Sequence, residues 1–279
     1  LQFKSNLYII VMMNKPKTIL VESDYHSGHR AGLTGPMYRR TDWKEREHEL
    51  YSFYVIQKEV YNWRKKILKE IGDIDIHFIL GDTIDGRGER SGGTEIIEPE
   101  VTSQIVMASE LIEEAGAKER IMVRGTPYHV GGKDGDYENA IAHNVGATIG
   151  NHLFVDVNGC IFDLKHKIGG SQSPVGVATS LEKSRVHNVL WSVESGQEQP
   201  RSNVILRGHT HVFRAVMTAD TLSVKCPAIS GFGSKYGEKE CESIVQIGLL
   251  IIKVDSKGGY TWQPRILRGE FLKAPVLKL

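Results

Sequence analysis

Cysteine is scarce in this sequence: Cys160, Cys226 and Cys241 are the only three in 279 residues, they are widely spaced, and no pair has Cys-x-x-Cys spacing. An odd, scattered set supports neither a disulfide framework nor a zinc knuckle and points to a reducing, cytoplasmic compartment. Net charge is nearly as scarce, since 35 Lys and Arg face 34 Asp and Glu for a formal +1. No overall field therefore draws the chain to nucleic acid or to an anionic membrane, although a local basic groove stays open. Long apolar runs are missing as well. The run Leu7 to Met13 has seven residues, against the roughly 20 of a bilayer-spanning helix. No small-residue cleavage site follows it before Asn14-Lys15-Pro16-Lys17 leads into the next apolar run, so secretion is not expected. Residues 1–13 are expected to be an N-terminal extension, with the first eleven preceding a natural start at Met12 or Met13; an extra edge strand is the alternative. Repeats and low-complexity linkers are absent, so residues 14–279 read as a single domain.

What is present is 40% hydrophobic and 25% charged residues, a globular balance that excludes collagen-like, coiled-coil and mainly disordered chains. Short, nearly continuous apolar runs predict buried strands at Thr18 to Val21, Ile76 to Leu80, Arg120 to Val123, Leu153 to Val157, Ile161 to Leu164 and Val204 to Leu206. Between the first two, Leu50, Phe53, Tyr54, Val60, Tyr61, Ile67, Leu68 and Ile71 recur at helical period, which predicts a long amphipathic helix. A second helix is expected around Ile105 to Ala115 and a weaker third from about Val177 to Val193. After His211 the helical period is lost and Phe213 to Met217, Thr221 to Val224 and Ile244 to Val254 read as strands. Strand and helix in alternation imply a layered α/β fold whose second half is richer in strand.

The chemistry lies where these strands end. The first runs into Asp24-Tyr25-His26, the second into Gly81-Asp82-Thr83-Ile84-Asp85-Gly86, and the third into Gly125-Thr126-Pro127-Tyr128-His129. Later strands deliver His166 and Gly208-His209-Thr210-His211. Ligands bind at the carboxyl edge of open α/β sheets, so these separated blocks are expected to converge on one crevice. Carboxylates and imidazoles without thiolate suit zinc, manganese, iron or nickel. There are too many for one ion, and shared between two they would clamp the attacking and leaving oxygens of a displacement at phosphorus.

Asp24-x-His26, Gly81-Asp82-x-x-Asp85, His166 and Gly208-His209-x-His211 together resemble the signature of the calcineurin-like metallophosphoesterases, in that family's order. The resemblance spans about residues 18 to 212. It implies a four-layer double β-sandwich flanked by helices, with a dinuclear metal site. By the same resemblance Asp24, His26 and His211 hold one ion, Asp82 bridges, and His166 and His209 hold the second. It implies hydrolysis of a phosphate ester by a metal-bridging hydroxide. One block departs: where the family has Gly-Asn-His-Asp or Glu, this chain has Gly125-Thr126-Pro127-Tyr128-His129. Either Thr126 offers its hydroxyl to the second ion, or His129 enters as ligand or as proton donor to the leaving group. Asp134, Asp136 and Glu138 lie nearby as further candidates.

Other residues are assigned lesser parts. Asp85 precedes Gly86 in a turn signal and is expected to orient its loop from behind the ligands. Extended alternation would put His209 and His211 on one side of the chain, as chelation requires. Among Arg30, Arg87 and Arg90, Arg87 is the candidate for a phosphate oxygen. The expected partner is a phosphate ester, nucleic acid enters only as substrate, and no membrane is involved. Two other readings remain: a nuclease of the same family, for which Tyr38-Arg39-Arg40 and Trp43-Lys44 offer a basic and aromatic hint, and a non-catalytic scaffold with this fold.

Overall fold

The computed structural model describes residues 15–269 apart from 46, 89–90, 133–134, 172, 174–175, 195–198 and 232–244. The expected N-terminal extension, Arg90, Asp134, Cys241 and the first residue of the expected strand at Ile244 fall outside the described residues. In chain order the elements are β1 (Lys17–Glu22), α1 (Tyr51–Ile71), β2 (Ile76–Ile79), α2 (Val101–Glu114), β3 (Glu119–Val123) and the single turn α3 (Pro127–Val130). There follow β4 (Gly131–Gly132), β5 (Gly135–Asp136), α4 (Tyr137–Val145), β6 (Thr148–Gly150), β7 (Leu153–Val157), β8 (Cys160–Lys165) and α5 (Thr179–Val193). The chain continues through β9 (Val204–Arg207), β10 (Arg214–Met217), β11 (Leu222–Lys225), β12 (Gly248–Val254) and β13 (Tyr260–Ile266).

Two sheets take the order β13-β12-β1-β2-β3-β6 and β10-β11-β9-β8-β7. In the first, β1, β2, β3 and β6 are parallel; in the second, β8, β9 and β11 are. Alternation along each strand explains why the sheets stack. Ile19 and Val21 of β1 face Val155, Phe162, Leu206 and Val224 of the second sheet, while Leu20 faces Ile67 and Leu68 of α1. Phe78 and Phe162 meet across the sandwich edge to face, with centroids 5.3 Å apart. Helices α1, α2 and α4 cover the outer face of the first sheet, and α5 lies over β10 and β11 of the second. The layers are therefore helix, sheet, sheet, helix, the double β-sandwich expected from the sequence.

The expected helix around Ile105 begins earlier, at Val101, and the long one ends at Gly72, whose positive φ of 71° lets its N–H return to Leu68 O. Six of the elements above were not expected from the sequence, namely α3, α4, β4, β5, β6 and β13. The turn α3 carries His129 on helix where only a loop was expected. Helix α4 is capped by Asp136, whose side chain accepts from Glu138 N at 2.9 Å, and closed by Gly146 in the left-handed region. Strand β13 contains Pro264, which an edge position tolerates because no ladder donor is needed there. The basic and aromatic hint near residue 40 packs on itself: Trp43 is buried, Arg40 pairs with Asp42, and Arg39 lies over the Tyr61 ring. Cys160 and Cys226 are free and buried. Among the described residues no helix is long and apolar enough to cross a membrane.

Candidate metal centre

Parallel pairing of β1 with β2 continues past the ends of both strands, which sets the first two blocks side by side. Asp24 N–H donates to Gly81 O at 3.0 Å, His26 N–H to Asp82 O at 3.0 Å, and Ser27 N–H to Thr83 O at 3.1 Å. The backbone is strained at the same positions. Among the described residues six non-glycines have positive φ, and five of them are Asp24 (57°), His26 (46°), Asp82 (51°), His209 (74°) and His211 (56°). Each such residue costs on the order of 1–3 kcal/mol and persists only where its surroundings hold it, as at ligand-binding sites. For His209 and His211 this corrects the extended geometry expected from alternation. The left-handed turns send the two imidazoles to different clusters, not to one side of a strand.

Those clusters are Asp24 with His26 and His211, Asp82 with His166 and His209, and His26 with Asp82 and His129, each with one donor atom per residue within 4.8 Å of the others. Asp82 belongs to two of them. Its Oδ1 accepts from the Thr126 backbone N–H at 2.6 Å, and the Thr126 hydroxyl lies 3.0 Å from both carboxylate oxygens. Gly125 is needed for this approach, because a Cβ there would run into Asp82 Oδ1 and its backbone N. Gly208 is similarly enclosed by Ser23 Oγ, Asp24 Oδ2 and His166 Nδ1.

The hydrogen bonds leave lone pairs facing one another. Asp24 Oδ2 accepts from the His209 backbone N–H at 3.1 Å and from the Ser23 hydroxyl, whereas the buried Oδ1 has no hydrogen-bond partner. That oxygen lies 3.2 Å from His211 Nε2 and 3.9 Å from His26 Nε2. His166 Nδ1 bonds to Leu80 O, which assigns the proton to Nδ1 and turns a bare Nε2 toward Asp82 Oδ2 at 3.0 Å, again without a hydrogen bond. His26 gives Nδ1 to Asp85 Oδ1 at 2.9 Å and brings Nε2 to 3.2 Å from His211 Nε2. Buried acceptors arranged in this way call for cations between them, and an all-nitrogen and oxygen set fits divalent transition ions.

The electrostatics agree. Burial pushes the Asp24 carboxyl up, but the imidazoles of His211, His166 and His26 outweigh it and hold the group well below the usual range. Burial disfavours the His166 imidazolium, yet Asp82 and Asp24 lift its pKa to about 10, so without a metal this position attracts a proton instead. His209 is pushed down to about 4 by burial and by the charge on His166. Burial also lowers His129, but its contact with Asp85 and the charges of Asp82 and Asp85 leave it above the ordinary imidazole value.

Asp85 joins none of the clusters. Its Oδ1 reaches Nδ1 of both His26, at 2.9 Å, and His129, at 3.1 Å, and so fixes the two rings. Thr126 is turned onto Asp82. Arg87 is exposed on the loop after Gly86, while Arg30 pairs with Glu95 at 2.9 Å and lies over Phe53. Glu138 has a part the sequence did not suggest. Fully buried, it accepts from Thr83 N at 3.0 Å, Thr83 Oγ1 at 2.9 Å and Gly125 N at 2.7 Å, tying the Asp82 loop to the Thr126 loop. Burial and the Asp82 charge push its carboxyl up to about 7. The Asp136 cap and the glycines around it were the available signal, since they start the helix that carries Glu138 inward.

No protein-family model matches the sequence, and none of the curated proteins does. Solved structures do match in shape. An archaeal phosphodiesterase superposes with a TM-score of 0.47 at 13% identity, covering 90% of this chain and 99% of its own. A single-substitution variant of Vps29 from Entamoeba histolytica gives 0.43 at 11% identity over 90% and 99%. A predicted phosphoesterase from Streptococcus pneumoniae gives 0.36 at 13% over 90% and 98%.

Proposed function

We propose that the chain is a phosphoesterase working with two divalent metal ions, which hydrolyses phosphomonoesters or phosphodiesters. The observation that carries this reading is the pair of clusters, Asp24 with His26 and His211 and Asp82 with His166 and His209, in which Asp24 Oδ1 and His166 Nε2 are buried and, among the described residues, make no hydrogen bond. Asp24, His26 and His211 would hold one ion, His166 and His209 the other, and Asp82 would reach both. Two such ions supply Lewis acidity, activating water near neutral pH and neutralising phosphoryl oxygens as an in-line displacement proceeds.

The chain's own residues do the rest. Asp85 orients His26 and favours the protonated form of His129, which would be placed to give a proton to the leaving oxygen. The Thr126 N–H fixes the plane of the Asp82 carboxylate, and Glu138 holds both loops in register. The expected test is purified protein loaded with manganese or zinc, assayed against a nitrophenyl monoester, the corresponding diester and single-stranded DNA. Turnover of at least one substrate, abolished by chelation, is expected. Asp82→Asn should lose activity and at least one ion; two tightly held ions with near-normal rates would remove Asp82 from the bridging position.

A further inference from the structure

The outer face of the second sheet carries a basic row that the metal centre does not use. Leu164, Leu206 and Val224 point into the sandwich, so Lys165, Arg207 and Lys225, the next residues of β8, β9 and β11, point out. The register places all three level with one another: Lys165 pairs with Arg207, and Arg207 with Lys225. Like charges directly across a sheet repel. Among the described residues one carboxylate pairs with the row. Asp163 takes both amino groups of Arg207, at 2.8 and 2.9 Å, and is shared with His152 at 2.8 Å, so it is spent on Arg207.

Over Lys165 and Arg207 opens a cavity of about 790 Å³, roofed by α5. The helix turns Thr179, Lys183, His187 and Trp191 into it, and Lys167 adds a further cation from the loop after β8. Among the described residues Asp163 is the only acidic one in the lining. Those four helix positions are spaced four apart, a stripe about 18 Å long at 1.5 Å per residue. At 3.4 Å per stacked nucleotide this matches about five nucleotides, more than a single phosphate group requires. Trp191 is 44% exposed at one end of the stripe, an aromatic face beside cations as single strands use for stacking. The cavity shares strand ends with the metal centre, although none of the clustered ligand residues lines it. Lys165 and Lys167 flank His166 in sequence, and Arg207 is two residues before His209, so both faces of the same sheet edge are supplied by the same strand ends.

We infer that the cavity between α5 and the second sheet is a track for single-stranded nucleic acid, which leads a phosphodiester of that class over the sheet edge to the metal centre. This deepens the phosphoesterase reading and rests on it for the reaction. Lys165, Lys167 and Lys183 meet the backbone phosphates, and Trp191 stacks on a base.

The test reads binding alone, using the full chain freed of metal by chelation and a fluorescent twelve-nucleotide oligothymidylate, followed by anisotropy across a salt series. The wild type should bind, and more weakly as salt rises. Lys165→Glu/Lys183→Glu changes exposed side chains, and its thermal melt checks folding; it should weaken binding at least tenfold and flatten the salt slope by about 0.7 per lost phosphate contact. Trp191→Ala should weaken binding about tenfold with the slope unchanged. A charge-matched control on α1, Lys65→Glu/Lys66→Glu, should have little effect. Equal losses in both double variants would overturn the track. Inorganic tripolyphosphate is the competing source of charge: full displacement by it together with a silent Trp191→Ala would leave an anion site and no strand. Hydrolysis of a small nitrophenyl diester by the manganese-loaded wild type, measured separately, tests the underlying reading. Binding without that hydrolysis removes the phosphoesterase reading, and hydrolysis without binding removes the track.

Discussion

Glu22 and Asp24 stand two residues apart at the carboxyl end of β1, both wholly buried, and their surroundings are opposites. Glu22 is complete within the protein: Arg64 donates to it twice, at 2.7 and 2.9 Å, the Tyr25 hydroxyl donates at 2.6 Å, and His77 Nε2 lies at 3.0 Å. Arg64 in turn reaches Leu111 O and Glu114, which binds β1 to α1 and α2. Asp24 has the same charge and burial, but among the described residues its Oδ1 has no hydrogen bond and lies 3.2 Å from His211 Nε2. One cluster is finished by folding. The other would be completed by a bound ion under the proposed reading, so the first should report in stability and the second in metal binding.

The sharpest break of that contrast is a pair of variants followed by thermal melting with and without manganese. Arg64→Ala leaves Glu22 as an unpaired buried charge and should cost about 3–5 kcal/mol, with the stabilisation by metal intact. Asp24→Asn should cost less without metal and should lose the metal-induced rise, which at a hundred times the dissociation constant is about 2.7 kcal/mol. Metal responses that are equal in the two variants would mean that both clusters are structural.

A second comparison lies within the site, between residues that would hold ions and one that would move a proton. His129→Ala should slow alkyl esters about 10²- to 10⁴-fold and nitrophenyl esters far less, because nitrophenolate leaves without a proton. A uniform loss together with a missing second ion would make His129 a ligand. Full metal content with unchanged rates on alkyl esters would end both assignments and turn attention to Glu138.

The smallest expected effect separates finished carboxylates from the rest by pH. Burial opposes ionisation of Asp163, but Arg207 and His152 outweigh it and hold its pKa near 2, and Arg64 and His77 likewise overcome burial to depress Glu22. A folded pKa below the unfolded value of about 3.9 means stabilisation that is present above pH 4 and lost as pH falls through the folded value. Denaturant melts of the metal-free protein should therefore lose about 2 kcal/mol for Asp163 between pH 4 and pH 2, and Asp163→Asn should flatten that slope. An unchanged slope in the variant would show that the Arg207 pair contributes nothing there.

Much of this was legible in the chain because buried strands and long amphipathic helices write their periods over many residues, as β1, β2, β8 and α1 do. Strand ends followed by Asp or His marked the crevice for the same reason. Short or edge elements carry no such period: α4 and α3 hide among glycines and polar residues, and β13 holds a proline that an interior strand would refuse. Sequence by itself determined which side chains arrive at the carboxyl edge, since that depends only on where each strand stops. Tertiary structure alone decided how they are shared. Left-handed turns at Asp24, His26, Asp82, His209 and His211 divide the donors into three clusters, two of which contain Asp82, and Glu138 locks two loops from a helix the pattern did not disclose. The basic row Lys165, Arg207 and Lys225 likewise exists only through register, because residues 18 to 42 positions apart become neighbours only when three strands lie parallel.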